Sequence, residues 1–109
     1  MRTEQELFDT VATHLIKQGK RSISKYECLY RGPDGMKCAI GCLIPDSDYR
    51  PYFEGNDLGQ LLEYGKLPKN LAEEFTENED MLADLQALHD NDEPNMWKER
   101  LAEIAELYL

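Results

Sequence analysis

Thr3-Glu4-Gln5-Glu6-Leu7-Phe8-Asp9-Thr10-Val11-Ala12-Thr13-His14-Leu15-Ile16-Lys17-Gln18-Gly19 decides how the rest of the chain is read. Leu7, Phe8, Val11, Ala12, Leu15 and Ile16 recur at three- and four-residue spacing, which predicts a helix over residues 4–18 with one apolar stripe. Thr3 is suited to accept the first free N–H groups, and Glu6 three residues later can reach back to it as a capping-box partner. Gly19 is a natural stop. A stripe of this width needs other apolar faces to cover it, and two segments supply them. Residues 79–90 place Met81, Leu82, Leu85 and Leu88 on one side. Residues 94–108 put Pro94 at the first helical position and stack Trp97, Leu101, Ile104, Ala105 and Tyr108.

Between these helices the periodicity changes. Tyr26, Cys28 and Tyr30 alternate with polar or smaller residues, Gly32-Pro33-Asp34-Gly35 supplies turn chemistry, and Met36–Cys38 reads as a returning strand, so a hairpin is expected over residues 26–38. Residues 38–44 are apolar with small residues interleaved. Strand and buried helix both fit, and the small side chains of Cys38, Ala39, Gly41 and Cys42 favour a helix that another helix can approach. Residues 45–67 read as irregular, with a short helix near Leu58–Tyr64 stopped by Gly65. Pro68 can open another helix that turns Leu71, Ala72 and Phe75 inward. The fold class is therefore α+β: one predominantly helical domain over residues 1–109 with one small β-hairpin, its three best helices packed around Leu43 and Ile44.

The chain has 109 residues, enough for a real core without disulfide staples. With 41% hydrophobic and 31% charged residues it is no disordered tail. No apolar run approaches the ~20 residues of a membrane helix. The opening Met1–Phe8 is charged and lacks the apolar core of a signal peptide. A cytoplasmic, reducing setting is the expectation, with Cys28, Cys38 and Cys42 as thiols. The net charge is -10, and it is divided: residues 1–43 carry +2 and residues 44–109 carry -12. An acidic chain repels a phosphate backbone, which argues against general nucleic-acid binding. Acidity also serves plain solubility.

Candidate chemistry is sparse. Cys28, Cys38 and Cys42 with His14 or His89 could make a Cys₃His zinc site, but the spacing matches no finger or ribbon, and small core cysteines are the simpler account. Cys38 follows Lys37 near a possible helix start, and either feature would lower a thiol pKa. A nucleophile would also need His14 or His89 as base, with an acid such as Asp90. The pair His89-Asp90 suits a metal-dependent phosphohydrolase only if more ligands exist than two histidines allow, so a core-flanking histidine beside a capping aspartate is expected. The run Asp90–Asn95 lacks the glycine and the terminal glutamate of a calcium loop. No cofactor, no metal and no catalytic residue are expected.

Two stretches suit binding. Residues 17–37 hold Lys17, Lys20, Arg21, Lys25, Arg31 and Lys37, interleaved with Tyr26 and Tyr30. Cations and aromatic faces suit an anionic, nucleotide-like ligand, for which Tyr26, Tyr30, Arg31, Lys37, Tyr49 and Tyr52 are the candidates. Residues 70–97 hold nine Asp/Glu and no Lys/Arg. Glu73, Glu74, Glu77, Asp80 and Asp84 are the candidates there for contact with a basic protein surface. Both stretches also read as ordinary solvated faces, and self-association stays open.

Two motifs extend the reading: Tyr30-Arg31-Gly32-Pro33-Asp34-Gly35-Met36-Lys37-Cys38-Ala39-Ile40-Gly41-Cys42-Leu43-Ile44-Pro45-Asp46, and Leu85-Gln86-Ala87-Leu88-His89-Asp90 followed by Trp97 and Leu101. Over much of its length the chain resembles a family of small uncharacterised proteins from tailed phages, prophages and their bacterial hosts. No residue roles come with that resemblance. It implies a context, a phage or mobile-element accessory factor, in which small acidic proteins that counter host defences are common. The expectation is a non-enzymatic binding or inhibitory protein acting on a host protein with a basic surface. The alternative is a binder of a small nucleotide-like anion, with a cysteine enzyme behind both.

Overall fold

The reciprocal cap predicted at the first helix is formed. The Glu6 N–H donates to the Thr3 hydroxyl oxygen at 3.1 Å, and the Thr3 N–H donates to the Glu6 carboxylate at 2.9 Å. In this computed structural model, which describes residues 1–109, the helix runs Glu4–Gln18 (α1) and ends at Gly19 with φ +68°. Four further helices follow: α2 (Leu58–Glu63), α3 (Lys69–Glu77), α4 (Glu79–Asn91) and α5 (Trp97–Tyr108). α4 packs along α5, and α1 packs against both α5 and the turn Gly41–Leu43. The shared interior includes Leu7, Val11, Leu15, Leu82, Leu85 and Trp97. Leu43 and Ile44 lie in it as expected, whereas Ile16, assigned to the stripe, is 45% exposed.

The hairpin is earlier and shorter than the expected one over residues 26–38. Strands β1 (Ile23–Ser24) and β2 (Glu27–Cys28) pair antiparallel, Ile23 with Cys28 and Ser24 with Glu27. They turn at Lys25-Tyr26, where Lys25 has φ 57°. Beyond Leu29 the ladder cannot continue, because the N–H groups of Tyr30 and Arg31 donate to the Glu54 carboxylate at 2.9 and 3.1 Å rather than to a strand. The turn predicted at Gly32–Gly35 exists, but it is closed by a single bridge between Arg31 and Lys37.

Residues 38–44 are neither a strand nor a packing helix. Gly41–Leu43 is one 3₁₀ turn, and Gly41 lies so close under the Tyr30 carbonyl that a Cβ would stand 2.9 Å from its carbon atom. Gly41 serves a close approach of backbone to backbone, not of helix to helix. Pro94 opens a 3₁₀ turn, Pro94–Met96, that leads directly into α5.

Candidate functional site

α4 ends in the side chains with the richest chemistry. His89 is wholly buried, and its ring stacks on Trp97 at 5.7 Å with 27° between the planes. The ring nitrogens have separate partners. The Ser22 N–H lies 2.9 Å from Nε2, which must therefore be the acceptor, so Nδ1 carries the proton and donates it to Asp90 at 2.7 Å. The Gln86 amide donates to the same Asp90 oxygen at 2.8 Å, while its own carbonyl accepts the Ile40 N–H at 3.0 Å. Arg21 braces the turn beyond by donating to the carbonyls of His89 (3.1 Å) and Asp92 (2.6 Å).

Cys28 joins this group from β2: its sulfur, a His89 nitrogen and an Asp90 oxygen all lie within 4.8 Å of one another. Three such ligand types could hold a cation, and the hydrogen bonding opposes it. A neutral imidazole has one lone pair, and the Ser22 N–H already occupies it. The thiol is no thiolate either. Burial, with Asp90's charge and hydrogen bond behind it, pushes Cys28 up to about 11. Burial also raises Cys42, to about 12, and pushes Cys38 higher still, against the lowered value expected from Lys37 and a helix start. The three-cysteine ligand set that the sequence disfavoured is not assembled, since the Cys42 thiol donates to the Ala39 carbonyl and the Cys38 sulfur accepts the Gly41 N–H. His14, the other candidate base, donates through Nε2 to the Lys37 carbonyl at 2.8 Å. Asp90 lines a polar cleft of about 540 Å³ between the hairpin and the loop before α2.

The residues predicted for an anionic ligand do not gather in that cleft. Only Tyr26 and Tyr30 line it. Tyr30 is a core residue, 7% exposed, whose hydroxyl donates to the Asn56 carbonyl. Arg31 is turned inward: it pairs with Asp46, donates to the Ile44 carbonyl and lies 5.0 Å over the Tyr49 ring. Lys37 lies 3.7 Å from the same Asp46. Tyr49 donates to Glu54 at 2.7 Å, and burial together with that bond lifts it to about 12. Tyr52 lies elsewhere, its ring under Lys66 at 4.9 Å.

The acidic set is also rearranged. Glu74 is not on the surface. It is 4% exposed and clamps the N-terminus, accepting the Arg2 backbone N–H and guanidinium at 2.7 Å each. Asp84 accepts the Tyr108 hydroxyl at 2.6 Å. Glu73, Glu77 and Asp80 are exposed, as expected. Two residues missing from the sequence reading join them: Glu4, from the start of α1, and Glu79, from the start of α4. With Glu77 and Asp80 they line a groove of about 370 Å³ that no Lys or Arg borders. None of these four carboxylates has an ion-pair partner, although Glu79 and Asp80 also favour the positive end of α4. The packing of α1 against α5, whose Tyr108 lines the same groove, brings Glu4 into the group, so spacing along the chain carried no sign of it.

No protein family, curated protein or solved structure matches the chain. No helix is long and apolar enough to cross a membrane.

Proposed function

We propose that this protein is a non-enzymatic binding module whose acidic face occupies a basic surface on another protein, a host protein in the mobile-element setting that the resemblance implies, and blocks or alters its activity. The observation that carries the reading is the set Glu4, Glu77, Glu79 and Asp80: four carboxylates around one groove, none neutralised from within the chain. Exposed like charges repel one another and lower stability slightly, and a basic partner converts that cost into complementarity. The engaged histidines and the protonated thiols support the non-enzymatic side, because no side chain here is both activated and free. The anion-binding alternative would have to displace Asp46 from Arg31 and Lys37.

The test is affinity capture from host or infected cells by the tagged full chain, in parallel with a variant carrying Glu73→Lys, Glu77→Lys, Glu79→Lys and Asp80→Lys. A partner retained by the natural chain and lost by the variant, in a salt-dependent way, supports the proposal. Equal retention by both chains overturns it, as does turnover of a small molecule by the pure protein.

A further inference from the structure

The cleft beside the hairpin combines three features that ask for one kind of ligand. First, the Tyr26 ring is fully exposed at its lip, presented by the positive φ of Lys25, and contributes nothing to the core. Secondly, Asp90 is preorganised. One oxygen is held by His89 and Gln86, His89 is itself fixed by Ser22 and Trp97, and the carboxylate lines the cleft beside Cys28 with no cation to neutralise it. Thirdly, the lining adds Glu27, Asp57 and side-chain amides but no Lys, Arg or His. The nearby Arg21 is spent on backbone carbonyls. A flat cation with several N–H donors satisfies all three: it bonds in plane to carboxylate oxygens and stacks on an aromatic face, which a compact ammonium does less well.

The cleft is also continuous with the acidic face. Asp57, Gln86, Asp90 and Asn91 line an adjoining cavity that runs along α4 to Glu79, and Glu79 borders the acidic groove. We propose that the cleft is a socket for an arginine side chain of the protein partner, its guanidinium on the carboxylates of Asp90 and Asp57, with Tyr26 closing over it. The basic character of that partner rests on the acidic-face reading.

The experiment is a nitrogen-15 NMR titration of the full chain with N-acetyl-arginine amide, N-acetyl-lysine amide and N-acetyl-citrulline amide. The expected result is shifts at Tyr26, Gln86, Asp90 and Asn91 with the arginine probe, and roughly tenfold weaker binding of citrulline, which keeps the planar shape and loses the charge. Tyr26→Ala, which removes no internal contact, and Asp90→Asn should each weaken the arginine probe by roughly tenfold. No shifts, or equal shifts with lysine and arginine centred on Glu77 and Asp80, would overturn the socket, and the second outcome would leave the acidic face standing. Arginine-specific shifts in the cleft, combined with a partner that survives the charge reversal above, would overturn the acidic face and leave the socket.

Discussion

The backbone N–H of Ser22 donates to Nε2 of the buried His89 at 2.9 Å, across 67 residues of sequence. This bond ties the hairpin to α4 and decides the tautomer of the ring. A metal on either nitrogen would have to displace Ser22 from one side or Asp90 from the other. Moving the proton from Nδ1 to Nε2 would set N–H against N–H. Elemental analysis of purified protein should therefore find well under one zinc per chain, and added zinc should leave the melting temperature unchanged. Stoichiometric zinc with a raised melting temperature would show that Cys28, His89 and Asp90 reorganise into a site.

Trp97 is fully buried between His89 and the helical core, and its indole N–H donates to the Asp92 carbonyl at 3.2 Å. Trp97→Ala removes the largest side chain of the interior and should cost about 3–5 kcal/mol in urea unfolding. Trp97→Phe, which keeps the ring stack and loses the hydrogen bond, should cost less. Equal costs would mean that the N–H bond, not the packing, holds the α4–α5 junction.

The Arg2–Glu74 clamp makes a prediction in pH. Burial works to raise the Glu74 carboxyl, and the hydrogen bonds and charge of Arg2 outweigh it, so the net shift is downward from 4.5. A carboxyl whose folded value lies below its unfolded one binds fewer protons in the folded state. Its stabilisation is present above about pH 4.5 and drains away as pH falls through the folded value. Arg2→Ala and Glu74→Gln should each lower stability at neutral pH by about 1–3 kcal/mol, since the lost bonds are charge-assisted. Each should also flatten the acid limb of the stability profile. An unchanged acid limb in Glu74→Gln would place the acid sensitivity elsewhere.

Gly41→Ala should be among the most damaging small substitutions. A Cβ there falls inside the Tyr30 carbonyl, a backbone group that cannot rotate away. The expected loss is at least about 3 kcal/mol, or failure to fold. Ala at Gly35 would meet nothing within 4 Å and would pay only for its φ of +76°. Thermal melts of the two variants separate crowding from conformation.

Those two glycines also show where the sequence was legible. Periodicity and caps are local, so Thr3, Glu6 and Gly19 announced α1, and the stripes of α4 and α5 announced their buried faces. Residues 26–44 are shaped by distant partners. Glu54 takes the N–H groups of Tyr30 and Arg31, and the Tyr30 carbonyl sits on Gly41, so the expected hairpin moved and the expected helix shrank to one turn. The same distance hid the sites. Glu74 looked like its exposed neighbour Glu73 until α3 turned it towards Arg2, and Asp90 looked like a cap until His89 and Gln86 converged on it.

The acidic face makes the last prediction, and it is kinetic. Charges at the rim of an interface act mainly before contact, steering the partners together, whereas buried contacts govern how long they stay. Glu73, Glu77 and Asp80 are exposed, so reversing them together with Glu79 should slow association of the captured partner far more than it speeds dissociation, as read by surface plasmon resonance. Salt should imitate the variant. Screening over about 10 Å at 0.1 M ionic strength weakens attraction across solvent, so the association rate of the natural chain should fall with added salt while that of the variant changes little or rises. Glu74 does not belong in this set: held by Arg2, it should alter stability without altering association. A charge reversal that changed dissociation alone would mean that these carboxylates lie inside the interface, each against a cation of the partner.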